Sequence, residues 1–313
     1  MILCFDIGGS WIKSAVATSA ADLRPLGRQH TPPDNYAHFC GLIAAEARAL
    51  DPAPRCVAIS MTGVVDPETG LITCANIPCV DQKPLQADLE ELLGLPVLIA
   101  NDADCFVLAE AFAGAGRGHH IVFGIILGSG VGGGLVVGGR LVNRAGGYAG
   151  EWGHGPSVAA CGGTPPAAIP EYACGCGQSR CLNTVGGARG LERLHAHLHG
   201  NALASHDIVA AWEAGERDAA RTIDVYVDLV ASPLAVAVNI TGANIVPVGG
   251  GLSNSHALIT KIDETVRTRI LGRLGRPLVV KAGCDLEPGL MGAALLGLDL
   301  DGYGGNSAGS LRR

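Results

Sequence analysis

Residues 150–184 read GEWGHGPSVAACGGTPPAAIPEYACGCGQSRCLNT, and the rest of the chain is organised around this stretch. Three cysteines lie within eight positions, Cys174, Cys176 and Cys181, and His154 stands twenty positions before the first of them. Four such ligands suit one tetrahedral Zn²⁺, and the glycines between them let the backbone turn so that the sulfurs face one point. The alternative is three buried apolar cysteines near an unrelated histidine. Cys161 lies in the same stretch, where its neighbours Gly162-Gly163 favour an ordinary loop cysteine over a further ligand.

Length and charge narrow the class of protein. The chain has 313 residues, enough for about two domains, and 48% apolar residues allow a sizeable core. The net charge is -7 and no run of Lys or Arg occurs, so we expect no nucleic-acid partner, because phosphate contacts need clustered cations. A nucleotide pocket stays compatible with this charge, since backbone N–H groups hold phosphates without net positive charge.

The eleven cysteines do not indicate disulfides. The first residues, MILCFD, have neither a basic leader nor a small-residue cleavage pattern, and the odd, scattered cysteines fit reduced thiols. The apolar runs are shorter than the roughly 18–20 residues of a membrane helix. We therefore expect a cytoplasmic protein with no membrane partner.

Two segments share one plan of apolar strand, glycine-rich turn and apolar strand. Residues 2–6 lead into Asp6-Ile7-Gly8-Gly9-Ser10 and a strand over 11–18, and residues 121–127 lead into Gly128-Ser129-Gly130-Val131-Gly132-Gly133-Gly134. Consecutive glycines let backbone N–H groups approach phosphate oxygens, and an aspartate at a strand end can hold Mg²⁺ through water. The weak repeat predicts two related halves, although each turn alone is also compatible with an ordinary hairpin.

The pair Asn101-Asp102 follows a predicted strand over 95–100. A carboxylate at the carboxyl end of a strand lies where α/β sheets place their ligands, and it can accept a proton from a hydroxyl nucleophile. Asn and Asp also serve well as helix N-caps, and a helix is predicted over 103–113. The local sequence leaves both interpretations open.

The rest of the chain alternates short strands with helices, which predicts an α/β fold. One strand, over 245–248, ends in Gly249-Gly250-Gly251, where a flat ring or a phosphate can approach the backbone. The longest predicted helix covers 216–240, and Pro233 should bend it or mark a boundary. We interpret His195, His197 and His199 as exposed or capping, and residues 301–313 as a disordered tail.

Taken in order, the glycine turns, Asn101-Asp102, GEWGH at 150–154, the cysteine cluster and Gly249-Gly250-Gly251-Leu252-Ser253 resemble the ROK family of bacterial sugar kinases and related repressors. The resemblance runs to about residue 297 and is strongest to the bacterial N-acetyl-D-glucosamine kinases as a group. It implies an actin-like, ribonuclease-H-like ATPase fold with two α/β domains around a cleft and a zinc-clipped loop. The implied small domain is 1–117 plus 289–313, and the large one is 118–288.

The same resemblance implies a role for each matching position. Asp102 would be the general base that takes the proton from the sugar 6-hydroxyl. The implied sugar contacts are Gly63, Asn76, Asn101, Asp102, Glu151, His154 and Asn183. The implied zinc ligands are His154, Cys174, Cys176 and Cys181. ATP and Mg²⁺ would be held by Asp6, Gly8, Gly9, Ser10, Gly128, Ser129, Gly130, Val131, Gly132, Gly133, Gly249, Gly250 and Gly251. A homodimer is usual in similar kinases.

The implied reaction is ATP-dependent phosphorylation of the 6-hydroxyl of an N-acetylated hexose, foremost N-acetyl-D-glucosamine. N-acetylmannosamine and glucose are alternative substrates. Two further alternatives are an inactive sugar-binding protein and a repressor, and we do not expect the repressor because Asp6 leaves no room for a preceding DNA-binding segment. The chain departs from the family pattern in two ways: Ser10 and Ser129 replace the usual Thr, and Asn183 replaces a Glu that contacts the sugar. Because Asn carries no charge, the second departure leaves the identity of the hexose open.

Overall fold

A computed structural model of the chain describes residues 1–300, so the predicted tail over 301–313 lies outside the described residues. The strands in chain order are β1 (Ile2–Ile7), β2 (Trp11–Ser19), β3 (Asp22–His30), β4 (Cys56–Met61), β5 (Val64–Val65), β6 (Ile72–Thr73), β7 (Val97–Asn101), β8 (Ile121–Leu127), β9 (Val131–Val137), β10 (Arg140–Leu141), β11 (Cys161–Gly162), β12 (Ala167–Ala168), β13 (Val246–Gly249) and β14 (Val279–Lys281). The helices are α1 (Tyr36–Arg48), α2 (Leu85–Leu93), α3 (Asp102–Ala113), α4 (Ala188–His199), α5 (Ser205–Glu213), α6 (Arg217–Thr241), α7 (His256–Arg267) and α8 (Pro288–Leu298).

The described chain divides into two compact units. Unit 1 comprises Met1–Ala109, Arg140–Ala149 and residues 285–300, and unit 2 comprises Glu110–Gly139 and Gly150–Cys284. The domain bounds that the family resemblance implies, 1–117 with 289–313 and 118–288, stay a prediction.

Unit 1 is built on a sheet with strand order β3-β2-β1-β4-β7. Strands β1, β4 and β7 run parallel, and β2 pairs antiparallel with β1. Helix α8 packs against β1 and β4, and side chains such as Phe5 and Ile59 are completely buried. Burial of one such side chain contributes about 1.5–3 kcal/mol, so these strands are the rigid part that holds the loops at their ends.

Unit 2 repeats this arrangement. Its strands follow the order β9-β8-β13-β14, with β8, β13 and β14 parallel and β9 antiparallel to β8. This order matches β2-β1-β4-β7 of unit 1, so the repeat that the two glycine turns indicate is confirmed. In both units, each glycine turn joins the antiparallel pair at the carboxyl end of a central strand.

Helix α6 is the longest helix of the described chain, and it packs against α4, α5 and α7. Its length and composition would suit a membrane span, contrary to our expectation that the apolar runs fall short of that length, but 56% of its most apolar window is buried inside the protein. A buried core helix has these properties too. The helix continues through Pro233, so that residue is not a boundary. Packing on three sides offsets the roughly 3 kcal/mol that a proline costs inside a helix.

Two further features differ from the sequence predictions. Strand β3 was not predicted, because its residues are mostly polar and exposed and show no apolar alternation. His195, predicted as exposed or capping, is only 1% exposed, and its Nδ1 lies 2.9 Å from the Thr222 hydroxyl on α6. Burial lowers the pKa of His195, so its neutral form is favoured.

Glu110 is a completely buried carboxylate near the end of α3. It accepts backbone N–H bonds from Ala115 at 2.8 Å, from Gly283 at 2.9 Å and from Cys284 at 2.8 Å. These bonds hold together two chain segments that are far apart in sequence. A carboxylate serves here because it accepts hydrogen bonds with both oxygens.

We expect Glu110→Gln to lower the free energy of unfolding by about 3 kcal/mol, because an amide N–H₂ would face buried N–H donors. Urea-induced unfolding measures the change. The exposed Glu91 on α2 is the matched control, and Glu91→Gln should stay within about 0.5 kcal/mol of the wild type. A loss below about 1 kcal/mol for Glu110→Gln would show that these bonds contribute little.

Candidate functional site

The predicted site residues of unit 1 gather at the carboxyl edge of its parallel strands. Asp6 pairs with Ser60 in the β1–β4 register, and Met61 pairs with Asn101 in the β4–β7 register. The segments that follow β1, β4 and β7 therefore emerge side by side. The ends of these strands and the segments after them carry Asp6, Gly8, Gly9 and Ser10, then Thr62 and Gly63, then Asn101 and Asp102.

Asn101 and Asp102 join β7 to α3. The Ala103 N–H donates to two side-chain oxygens, Asn101 Oδ1 at 2.9 Å and Asp102 Oδ1 at 2.8 Å. Asn101 Nδ2 also donates to the Gly63 carbonyl at 2.9 Å. The pair thus caps the helix, as one interpretation of the sequence held, and Asp102 is nevertheless exposed. Capping and proton acceptance are compatible, because a carboxylate has two oxygens.

Asn76 lies next to the same group of loops. Its Nδ2 donates to the Thr62 hydroxyl at 2.9 Å, and Thr62 immediately precedes Gly63. Unit 1 therefore brings together the predicted sugar contacts Gly63, Asn76, Asn101 and Asp102 through direct hydrogen bonds and chain adjacency.

Asp6 lies in a cluster of charges that the sequence interpretation missed. The Ser60 hydroxyl donates to Asp6 at 3.1 Å, and Lys13, the cross-strand partner of Asp6, pairs with Glu287 at 2.5 Å. Burial raises the pKa of Asp6, while Ser60 and Lys13 oppose that shift. The available signal was the hairpin itself, since its register places Lys13 beside Asp6. A carboxylate next to a glycine turn suits a water-mediated Mg²⁺ contact.

In unit 2, the second glycine turn lies beside the end of β13; the name covers residues 128–134, so it includes the first four residues of β9. Gly128 N–H donates to the Gly130 carbonyl at 3.0 Å, and the Gly128 carbonyl accepts from Ala188 N–H at 2.7 Å. Gly250 has φ +85°, and a Cβ there would lie 2.5 Å from the Leu127 backbone, so a larger residue does not fit. The predicted residues Gly128, Ser129, Gly130, Val131, Gly132, Gly133, Gly249, Gly250 and Gly251 thus share one edge of this sheet.

A cleft of about 840 Å³ opens beside Gly251 and Leu252. Helix α5 and the start of α7 form its walls, where Ser255 donates to Glu213 at 2.6 Å. Its size is in the range of clefts that take small molecules.

The four predicted metal ligands come together within unit 2. The ligand atoms of His154, Cys174, Cys176 and Cys181 all lie within 4.8 Å of one another. Cys176 Sγ is 3.6 Å from Cys181 Sγ, and Cys174 Sγ is 3.7 Å from His154 Nδ1. Tetrahedral zinc with Zn–S bonds of about 2.3 Å requires S–S separations of about 3.8 Å, so the cluster fits zinc. Cys161 is exposed and is not one of the four.

The thiols of the cluster differ in their environment. The backbone N–H of Gln178 lowers the pKa of Cys176 to about 7, whereas burial raises the pKa of Cys181 to about 11. A low thiol pKa favours the thiolate form that binds metal. Cys176 is exposed and Cys181 is buried.

His154 presents its two ring nitrogens to different partners. Nδ1 faces Cys174, and Nε2 lies 3.8 Å from the Glu151 carboxylate. Burial raises the pKa of Glu151, and His154 opposes that shift. A metal bound to Nδ1 would therefore place the ring proton on Nε2, which faces the Glu151 carboxylate.

Asn183 is already engaged within unit 2. Its side-chain Oδ1 accepts from the Val131 N–H at 2.8 Å, and its backbone N–H donates to the Gly153 carbonyl at 2.8 Å. Its side-chain nitrogen also lies 4.0 Å from Cys174 Sγ, so both polar atoms of the carboxamide have partners within unit 2. The sequence could not indicate this engagement, because 52 residues separate Asn183 from Val131.

Comparisons with known proteins agree with this geometry. Residues 2–299 match the model of the ROK family. An N-acetyl-D-glucosamine kinase of Pasteurella multocida (strain Pm70) is 33% identical, with 93% of this chain and 97% of that protein covered. The N-acetylgalactosamine kinase AgaK of Shewanella sp. (strain ANA-3) is 34% identical, with 95% and 96% covered. Among solved structures, the ROK hexokinase of Thermus thermophilus has a TM-score of 0.81 at 27% identity, covering 97% of this chain and 99% of that one.

Proposed function

The chain belongs to the ROK family, and from that premise we propose that it is an ATP-dependent kinase that phosphorylates the 6-hydroxyl of a hexose. One observation carries the proposal more than any other. Asp102 is exposed at the carboxyl edge of the unit 1 sheet, directly after Asn101, which is itself bonded to Gly63. A proton acceptor held by a strand end and a helix start is what hydroxyl activation requires.

Asp102 acts as the general base in the proposed reaction. As the sugar O6 forms a bond to the γ-phosphorus, Asp102 takes the hydroxyl proton, the bond from the γ-phosphorus to the bridging oxygen breaks, and ADP leaves. Phosphoryl transfer needs mainly positioning and charge stabilisation, so one base together with well-placed donors is sufficient.

The two glycine turns bind the phosphates of ATP through their backbone N–H groups. In unit 1, Gly9 and Ser10 would supply these N–H groups, because the Gly8 N–H donates to the Trp11 carbonyl. In unit 2, Ser129 and Gly130 would supply them, because the N–H groups of Gly128 and Val131 donate to Gly130 and Asn183. Gly132 and Gly133 complete that segment, and Gly249–Gly251 approaches the adenosine next to the 840 Å³ cleft. Asp6 would hold Mg²⁺ through water, and the ion would supply neutralisation of the phosphate charge.

The remaining predicted residues bind the sugar. Within unit 1, the proposed sugar contacts are Gly63, Asn76 and Asn101. Within unit 2, they are Glu151 and His154 Nε2. His154, Cys174, Cys176 and Cys181 would hold zinc in a structural role, since four protein ligands would leave no open position for water. Its ligands fix the loop that carries Glu151 and His154.

We further propose N-acetyl-D-glucosamine as the hexose, giving N-acetyl-D-glucosamine 6-phosphate. The relatives support a 2-acetamido sugar, because one is named for N-acetyl-D-glucosamine and another for N-acetylgalactosamine. N-acetylmannosamine and glucose are the alternatives, since Asn183 lacks the carboxylate that family members use near the sugar. The proposal also includes a homodimer that works in the cytoplasm.

A coupled ADP assay over a panel of hexoses and acetamidohexoses tests the function. We expect kcat/KM to be highest for N-acetyl-D-glucosamine, at least about tenfold above glucose, because a site that pairs with the acetamido group rejects a sugar without it. A preference for another sugar of the panel would reassign the substrate. Tight sugar binding without ADP release for any of them would indicate a sugar-binding protein instead.

A further inference from the structure

Asn183 lies between the metal cluster and the second glycine turn. Its Oδ1 accepts the Val131 N–H at 2.8 Å, and a Cβ added at Gly130 would lie 2.3 Å from that oxygen. The carboxamide therefore packs directly on the backbone of the turn. Gly130 is the residue type that allows this approach.

The backbone of Asn183 is held close to the metal cluster. It lies two positions after Cys181, in the 3₁₀ turn Leu182–Thr184, and its N–H donates to the carbonyl of Gly153, the neighbour of His154. Its Nδ2 also donates to Cys174 Sγ at 4.0 Å, a long contact. Residues of the metal cluster therefore lie on both sides of Asn183 and restrict the direction of its side chain.

A second connection joins the same two features. Trp152, two residues before His154, donates its Nε1–H to the Gly132 carbonyl at 2.9 Å, and its ring packs edge-on against Phe123 of β8. Val131 and Gly132 of the turn are therefore both bonded to segments that carry metal ligands. A turn held in this way keeps its N–H groups in one arrangement, which lowers the ordering cost of binding an anion.

We propose that Asn183 is a positioning residue that couples metal occupancy to the shape of the second glycine turn, and thereby to phosphate affinity. The zinc site then acts on the nucleotide as well as on the sugar. This inference rests on the proposed function only where it assigns phosphates to the turn. The coupling between the metal and the turn stands on the contacts within unit 2.

Hydrogen–deuterium exchange of the Val131 amide, without sugar or nucleotide, tests the coupling. In the wild type, removal of zinc with a chelator should speed this exchange at least about tenfold, and added zinc should restore it. Asn183→Ala should show the fast exchange while it still binds one zinc per chain. Asn183→Asp keeps the oxygen that accepts from Val131 and should retain slow exchange, which also covers the case in which the alanine variant fails to fold.

Equilibrium binding of Mg-ADP provides the second readout. Zinc removal should weaken ADP binding about tenfold in the wild type, and Asn183→Ala should reduce that factor to about two or less. Asn244→Ala is the matched control, because Asn244 Oδ1 accepts the Ile121 N–H at 2.9 Å at the other end of β8. It should leave both the Val131 exchange and the tenfold factor unchanged.

The proposal is overturned if Val131 exchanges equally fast with and without zinc, or if Asn183→Ala keeps the full tenfold factor. Failure of the kinase assignment is a separate result, because it shows as absent ADP release in the sugar panel. The exchange experiment decides the coupling without any substrate.

Discussion

Asp102→Asn should lower kcat by about 10²–10⁴-fold and leave the sugar dissociation constant within about threefold. The amide has the same shape as the carboxylate, and its oxygen still accepts the Ala103 N–H that Asp102 accepts at 2.8 Å. The start of α3 is therefore preserved. An amide does not accept a proton at neutral pH, so the loss falls on the chemical step. Steady-state ADP release gives kcat, and isothermal titration with the sugar gives the affinity.

Asp81→Asn is the matched control for this experiment. Asp81 is likewise exposed, belongs to unit 1 and accepts one backbone N–H, from Cys74 at 2.9 Å. Its replacement should leave kcat within about twofold of the wild type. Near wild-type turnover of Asp102→Asn would show that the general base lies elsewhere.

Cys176→Ala should abolish stable zinc binding and weaken the binding of both the sugar and the nucleotide. Cys176 is an exposed member of the four-residue cluster, so its truncation leaves no core cavity and the effect reports on the metal. We expect less than about 0.1 zinc per chain, against about one in the wild type, because structural zinc needs all four ligands. Sugar affinity should fall at least about tenfold as the loop with Glu151 and His154 loses its anchor.

Metal analysis of the purified protein and calorimetric sugar titration measure these effects. Cys161→Ala is the control, since Cys161 is an exposed cysteine of the same loop that lies outside the cluster. It should keep both its zinc and its sugar affinity. Zinc retained by Cys176→Ala would show that the three other residues bind the metal without it.

Much of the fold followed from local patterns. The strand–turn–strand plan at Asp6 and again at residues 128–134 predicted two related halves, and the two sheets do share one strand order. Apolar periodicity located most helices, because apolar residues recur at helical spacing where a helix buries one face. Strand β3 was not predicted from such patterns, because this exposed edge strand has no apolar alternation. The helix boundary that was considered at Pro233 was wrong, because tertiary packing outweighed the local cost of a proline.

The residues of the candidate site also differ in how far the sequence predicted their roles. The spacing of His154, Cys174, Cys176 and Cys181 was sufficient to predict a metal cluster, since ligand type and loop length restrict the options. The local sequence left Asp102 open between cap and base, and the structure shows that its cap contact and its exposure coexist.

The sequence by itself determined the family and predicted the four residues of the Cys/His cluster, because these depend on residue types at short spacings. Only the tertiary structure decided what Asn183 contacts, which charge lies beside Asp6 and where the Glu110 carboxylate is bonded. Each of these depends on hydrogen bonds or register between segments that are distant in the chain or opposed across a hairpin. The partners of Asn183 and Glu110 are chosen by tertiary packing, and composition and spacing carry no information about them, whereas the hairpin register was the one available signal for Lys13.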